Sequence, residues 1–298
     1  MLYEIKKQSL LNGEILAYRE TGSGEKTLLL IHGNQSSSLF YEFLMRDFEN
    51  SAHIIAVDMA GFGNSEYKSR HMTIKEWADD IALFMTAKNI DNAIVLGWSA
   101  GGGVAMELSA CYPDKVQSLV LLASVGVKGF PLPKRNQDLT PVEGEYLHKR
   151  EDVVQDPAIL IPVTSAIQKK DTDFLHNIWK RTIFNLHAPD ENVFDAYMQE
   201  ILKERCFEDI SVALCQFNIT HEDAITPGTG NISKICCPVT WIHGRQDMIV
   251  PFSTGEDSIR YFEGKARLFP IEEAGHAAFM DQPEIFNGIL KKVLAQCI

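Results

Sequence analysis

Ala93-Ile94-Val95-Leu96-Gly97-Trp98-Ser99-Ala100-Gly101-Gly102-Gly103 is the stretch whose reading decides the fold. Its first four residues form a short apolar run, the pattern of a strand covered on both faces. The rest passes through a glycine-x-serine-x-glycine pentapeptide into Val104, Leu108 and Cys111, which are spaced for one face of a helix that Tyr112-Pro113 ends. A serine at a sharp strand-to-helix turn needs glycine two positions to either side, because a side chain there would clash. The pentapeptide alone is weak evidence. The strand before it and the helix behind it give it weight.

Working outward, the same alternation recurs. Leu28-Leu-Leu-Ile31 ends at His32-Gly33, and Ile54-Ile-Ala-Val57 ends at Asp58. Thr73 with Glu76 three residues on reads as a capping box opening a helix, whose stripe is Ile74, Trp77, Ile81 and Phe84. Val116 to Leu122, Val239 to Ile242 and Ala266 to Phe269 are further strand candidates, and a closing helix starts near Pro283. Before all of these, Leu2 to Lys6 and Glu14 to Arg19 flank Asn12-Gly13, a hairpin signal. Strands alternating with helices imply right-handed crossovers, and so an α/β fold with a mostly parallel central sheet flanked by helices.

One stretch interrupts the alternation. From Phe130 to Ile232 no convincing apolar strand occurs, only helical patterns. Asp171 can cap a helix carrying Phe174, Ile178, Trp179, Thr182 and Ile183, and Pro189 can open one carrying Phe194, Tyr197 and Ile201. A third pattern runs from Phe207 to Phe217. The expected organisation is a core of residues 1–129 and 233–298 with a helical cap inserted over 130–232.

Of the 298 residues, 45% are hydrophobic and 23% charged, which excludes a disordered or fibrous chain. The net charge of −12 argues against nucleic acid as partner, since phosphate affinity needs clustered positive charge. No apolar run approaches a membrane span, and the N-terminus lacks the apolar core of a signal peptide. A cytoplasmic protein is expected, with Cys111, Cys206, Cys215, Cys236, Cys237 and Cys297 as reduced, mostly buried packing residues. The oligomeric state is not encoded in any legible pattern.

A serine hydroxyl needs a base, and the base an orienting carboxylate. His276, in Glu273-Ala-Gly275-His276, follows the last strand candidate, and Asp247, in His243-Gly-Arg-Gln-Asp247, follows the one before. Asp223 and Asp257 are runners-up that follow no strand. Ser99, Asp247 and His276 would all stand at carboxyl ends of parallel strands, where open α/β sheets bind ligands. Their chain order is one of the known triad orders. The tetrahedral intermediate needs two donors; the amide of Ala100 supplies one, and the amide of Asn34 in His32-Gly33-Asn34-Gln35 the second. Gly33, Trp98, Phe174 and Trp179 are the candidates for lining the substrate pocket, although aromatic positions at helical spacing more often fill a core.

Together, His32-Gly33-Asn34, the turn Asp58-Met-Ala-Gly61-Phe-Gly63-Asn-Ser65, the elbow Gly97 to Gly101, Asp247 and His276 resemble the α/β-hydrolase superfamily, in particular its capped serine hydrolases. The resemblance implies Ser99 as nucleophile, His276 as general base and acid, and Asp247 as its orienter. Haloalkane dehalogenases and epoxide hydrolases carry aspartate at the elbow, where this chain has serine, and Gln35 stands where they have an oxyanion-loop proline. The implied activity is hydrolysis of a carboxylic ester or lactone, carboxylesterase- or lactonase-like, on a small to medium apolar substrate. C–C bond hydrolase, perhydrolase or haloperoxidase-like, and amidase activities on the same triad are alternatives, as is a receptor-like ligand binder with slow turnover.

No metal or organic cofactor is expected. Thr21-Gly-Ser-Gly-Glu-Lys-Thr27 lacks phosphate-loop spacing and reads as a hairpin turn, and no His/Cys spacing suits zinc.

Overall fold

The structure, a computed structural model, describes residues 3–296. The chain starts with strands β1 (Lys6–Ser9), β2 (Ile15–Thr21) and β3 (Thr27–Ile31), then helix α1 (Glu42–Phe48). Strand β4 (His53–Val57), helix α2 (Ile74–Ala87), strand β5 (Ala93–Trp98), helix α3 (Ala100–Cys111) and strand β6 (Val116–Leu122) follow. After an excursion, the chain returns with β9 (Val239–Gly244), reached through β7 (Leu132–Arg135), β8 (Pro141–Leu147), α4 (Arg150–Val153), α5 (Leu160–Lys169), α6 (Thr172–Thr182), α7 (Glu191–Ile201) and α8 (Phe207–Gln216). Helix α9 (Phe252–Ile259), β10 (Ala266–Ile271), α10 (Ala278–Asp281) and α11 (Pro283–Gln296) complete it.

Eight strands form one sheet in the order β1-β2-β4-β3-β5-β6-β9-β10. β1 pairs with β2 and β2 with β4 antiparallel, and the remaining pairs are parallel. The apolar runs are continuous because the central strands are covered on both faces. Leu29, Ile31, Ile55, Val57, Val95 and Leu121 meet the layer of α2 and α3, whereas Leu28, Leu30, Ile54, Ala56, Leu96 and Leu122 meet the layer of α1 and α11. Side chains of period two therefore feed two cores. Thr73 and Glu76 form the expected capping box at the start of α2.

Four expectations need correction. The first strand is Lys6–Ser9, not Leu2 to Lys6, of which Leu2 lies outside the described residues. The Asn12-Gly13 hairpin stands, with Ser9 paired to Ile15. Residues 22–26 are not a hairpin turn: β2 pairs with β4, so this turn carries the chain across to β3 on the far side of β4. The excursion is not purely helical, because β7 and β8 pair antiparallel. Their sequence hides this, since Lys134, Glu143, Gly144 and Glu145 leave the ribbon without an apolar face and its residues are mostly exposed. Helix α5, carrying Leu160, Val163 and Ala166 inward, was equally unforeseen, although its spacing was readable. The end of the excursion packs with the sheet: Ile219, Ile232 and Ile235 join the α2/α3 core. Cys236 is exposed rather than buried, and Cys297 lies outside the described residues.

A buried polar contact ties the loop after β4 to α2. His71 Nε2 lies 2.7 Å from Asp80 Oδ2, and its Nδ1 donates to the Ser69 carbonyl at 2.9 Å. Burial alone would push the His71 pKa down. The hydrogen bond and charge of Asp80, aided by the Ser69 carbonyl, outweigh burial and hold it above the ordinary value. A raised folded-state pKa means the contribution is complete below the unfolded histidine value of about 6.5 and is lost as pH rises through the folded one. Thermal unfolding from pH 6 to pH 9 should therefore show a decline in Tm that the His71→Gln variant lacks, about 2–4 °C for each kcal/mol lost. Parallel slopes for the two proteins would refute the linkage.

Candidate active site

Ser99 stands between β5 and α3 with φ 55° and ψ −120°, a conformation that non-glycine residues rarely hold. Neighbouring strands and helix impose it. The Ser99 amide donates to Leu122 O at 3.0 Å, and its carbonyl accepts from Gly102 N and Val125 N at 2.9 and 3.2 Å. A Cβ at Gly97 would overlap the Gly101 carbonyl, and one at Gly101 would overlap the Ile31 and His32 carbonyls. The glycine spacing thus reflects helix, elbow and β3 loop converging to backbone contact. Ala100 is the first residue of α3, so its amide belongs to the helix start that has no intrahelical acceptor.

The loop after β3 is fixed by His32, which is fully buried. Its Nε2 accepts from the Met59 amide at 3.0 Å, which leaves the proton on Nδ1, donated to Gly33 O at 2.7 Å. Burial pushes the His32 pKa down against the opposing charge of Asp58, so the ring is neutral, as this pattern requires. Asp58 joins the end of this loop to the turn after β4 by accepting from Ser38 N at 2.7 Å and Asn64 N at 2.8 Å. Asn34 Oδ1 accepts from Gln35 N at 3.0 Å, so this side chain shapes the turn, and Gln35 takes the left-handed conformation with φ 53°. Gln35 Oε1 also accepts from Trp179 Nε1 at 3.2 Å, joining the loop to α6.

Asp247 and His276 leave the carboxyl ends of β9 and β10 and meet. His276 Nδ1 lies 2.9 Å from Asp247 Oδ2. The other carboxylate oxygen accepts from Ile249 N at 2.8 Å and Val250 N at 2.9 Å. Burial alone would raise the Asp247 pKa, but the imidazoles of His276 and His243 outweigh it and hold the carboxyl well below the usual range. Trp98 Nε1 donates to His276 O at 2.9 Å, and its ring lies 5.6 Å from the imidazole. The runners-up are elsewhere: Asp223 accepts from Gly228 N at an exposed turn, and Asp257 is exposed on α9.

Ser99 and His276 border one cavity of about 380 Å³, together with Gly33, Asn34, Ala100, Trp98 and Trp179. The opposite walls come from α5, α6 and α8, through residues such as Val163, Ile178, Phe207 and Leu214. Among the described residues, no Asp, Glu, Lys or Arg lines it. Phe174 does not line it either. That residue shares the face of Ile178 on α6 but lies four residues, about 6 Å, further along the axis, where it packs against the neighbouring core. Sequence reasoning missed Gln35, Met248 and His243; none follows a periodic pattern, and Gln35 is tied to Trp179, 144 residues away, while Met248 and His243 are defined by the cavity and by the Asp247 turn.

Gly33 has no room for a side chain, since a Cβ there would approach Ser99 Cβ to 2.9 Å and Trp98 O to 3.2 Å. Gly33→Ala should therefore displace the serine and lower kcat by about 10²-fold while the protein stays folded. Steady-state kinetics alongside circular dichroism checks this, and wild-type turnover would show that the close approach is unimportant.

The strand order, with its antiparallel edge and a strained serine directly after a central parallel strand, is that of the α/β-hydrolase fold. Residues 26–283 match the family model described as alpha/beta hydrolase fold, and the chain belongs to that family. It is 29% identical over 273 residues to a pimeloyl-[acyl-carrier protein] methyl ester esterase of Neisseria meningitidis, covering 89% of this chain and 92% of that one. It is 23% identical over 302 residues to a 2-hydroxymuconate semialdehyde hydrolase of Pseudomonas sp., covering 98% and 95%. Among solved structures, the esterase EaEST from Exiguobacterium antarcticum superposes with a TM-score of 0.75 at 20% identity, covering 97% of this chain and 99% of that one. Among the described residues no helix is long and apolar enough to cross a membrane.

Proposed function

We propose that this chain is a serine hydrolase that cleaves uncharged carboxylic esters or lactones with an apolar acyl part. The observation that carries the reading is the cavity bordered by Ser99 and His276, whose walls hold no charged carboxylate, ammonium or guanidinium group. The Asp247–His276 contact supports the same reading, as do relatives named for ester hydrolysis. The segment between β6 and β9 acts as a cap, since α5, α6 and α8 close the cavity opposite the serine.

Ser99 Oγ attacks the carbonyl carbon while His276 Nε2 takes its proton, and Asp247 stabilises the resulting imidazolium. The amides of Ala100 and Asn34 hold the oxyanion. Collapse breaks the bond to the alcohol oxygen, which leaves with the proton from His276. Water, deprotonated by the same ring, then attacks the acyl-serine and releases the acid.

Substrate charge tests the assignment. A carboxylate buried in this cavity would find no cation, at a cost of several kcal/mol. Neutral alkyl and p-nitrophenyl esters should therefore exceed analogues carrying a distal carboxylate by at least about 10²-fold in kcat/KM. Cleavage of a 2-hydroxy-6-oxo-dienoate faster than any neutral ester or lactone would instead establish carbon–carbon bond hydrolysis.

A further inference from the structure

The Asp247 carboxylate is approached by a second imidazole, that of His243, the penultimate residue of β9. His243 is fully buried, and its Nε2 lies 3.2 Å from Asp247 Oδ2 and 2.9 Å from Val250 O. Its tautomer follows from its other nitrogen. Trp241 Nε1, which can only donate, lies 3.2 Å from His243 Nδ1. Nδ1 must then accept, so the ring carries its proton on Nε2 and donates it to the carboxylate and carbonyl on the far side. Around the ring, Phe252 packs edge-on at 5.6 Å, and a side chain at Gly255 of α9 would crowd Nδ1 at 3.2 Å. The imidazole is held by polar contacts at both ring nitrogens.

We propose that His243 is a positioning residue for Asp247, held by Trp241 as the Nε2–H tautomer so that it fixes both the carboxylate plane and the turn up to Val250. This rests on the triad reading above. Oδ1 is pinned by two backbone amides, but Oδ2 has only the two imidazoles, His276 at 2.9 Å and His243 at 3.2 Å. Without the His243 donor, Oδ2 keeps only the His276 contact, so the carboxylate can twist about its Oδ1 anchor and the His276 ring it orients shifts relative to Ser99. A misplacement of about 1 Å at reacting groups costs about 10²-fold in rate. Substrate binding depends on the apolar walls, which His243 does not reach.

The test compares His243→Met, which keeps bulk without a donor, with His243→Gln, whose amide nitrogen can occupy the place of Nε2. With p-nitrophenyl butyrate as probe, His243→Met should lower kcat 10- to 100-fold with KM within about twofold, and His243→Gln should recover most of the loss. In the Ser99→Ala background, proton NMR should show the downfield His276 Nδ1–H signal in His243→Gln and its loss or displacement in His243→Met. Wild-type kcat in His243→Met, or equal losses in both variants with an unchanged signal, would overturn the proposal. Should His243→Met fail to fold, nitrogen-15 NMR of the wild-type protein decides: a proton on His243 Nδ1 overturns it, and one on Nε2 with recovery in His243→Gln upholds it. If Ser99→Ala still hydrolysed esters, the triad reading would fail, and the tautomer and the His276 signal would report on His243 independently.

Discussion

Ser99→Ala is expected to reduce kcat for ester hydrolysis by about 10⁶-fold and to abolish labelling by a fluorophosphonate probe. The magnitude follows from what is removed. Without the hydroxyl no acyl-enzyme forms, and water must attack directly in a site shaped for the serine oxygen. The oxyanion donors and apolar walls remain, so activity above the uncatalysed rate should persist. The fold should be little affected, because the unusual backbone at 99 is imposed by Leu122 O, Gly102 N and Val125 N, none of which touches the side chain. Thermal unfolding near the wild-type temperature, together with absent labelling, is the expected pair of results. Labelling that persists at another residue, or turnover within tenfold of wild type, would remove Ser99 from the reaction.

Asp247→Asn should lower kcat by about 10⁴-fold with a modest change in KM. The wild-type carboxylate receives four donors: two backbone amides on Oδ1, and the His276 and His243 imidazoles facing Oδ2. Asparagine offers one acceptor oxygen and one amide nitrogen that only donates. The oxygen is claimed by the Ile249 and Val250 amides, so the nitrogen turns toward the two rings. His276 must then present an unprotonated Nδ1, which leaves its proton on Nε2, the position that has to accept from Ser99. The base is lost chiefly through the wrong tautomer, while the His243 Nε2–H loses its carboxylate acceptor and keeps only the Val250 carbonyl. Histidine NMR would show the proton transferred to Nε2. A variant with near-normal turnover would assign orientation of His276 to something other than Asp247.

The core of the fold was legible because parallel strands buried on both faces leave unbroken apolar runs, such as Leu28 to Ile31 and Ala93 to Leu96, that no half-exposed element imitates. The β7–β8 ribbon was not legible, because it buries little beyond Leu132, with Leu147 beside it, and its strands carry no hydrophobic alternation. Residues 22–26 were misread as a hairpin turn because adjacency in the chain does not reveal which strands become neighbours. Ser99, Asp247 and His276 could be named because each follows an apolar run by a few residues, the place where a parallel sheet presents its carboxyl edge. Phe174 was misplaced because periodicity tells which side of a helix a residue occupies but not how far along the axis the cavity extends.

The amino-acid order by itself determined which segments become two-sided strands, where the serine elbow falls, and which histidine and aspartate follow the last two strands. These are local matters, settled by burial periodicity and by glycines that permit close backbone approach. Tertiary structure alone decided that Trp241 sets the tautomer of His243, that His243 and His276 face one carboxylate oxygen, and that Gln35 is tied to Trp179. It also decided that the walls around Ser99 carry no charge. Such features depend on side-chain orientation and on distances in space rather than on chain order, since hydrogen bonds and charges act only over a few ångströms.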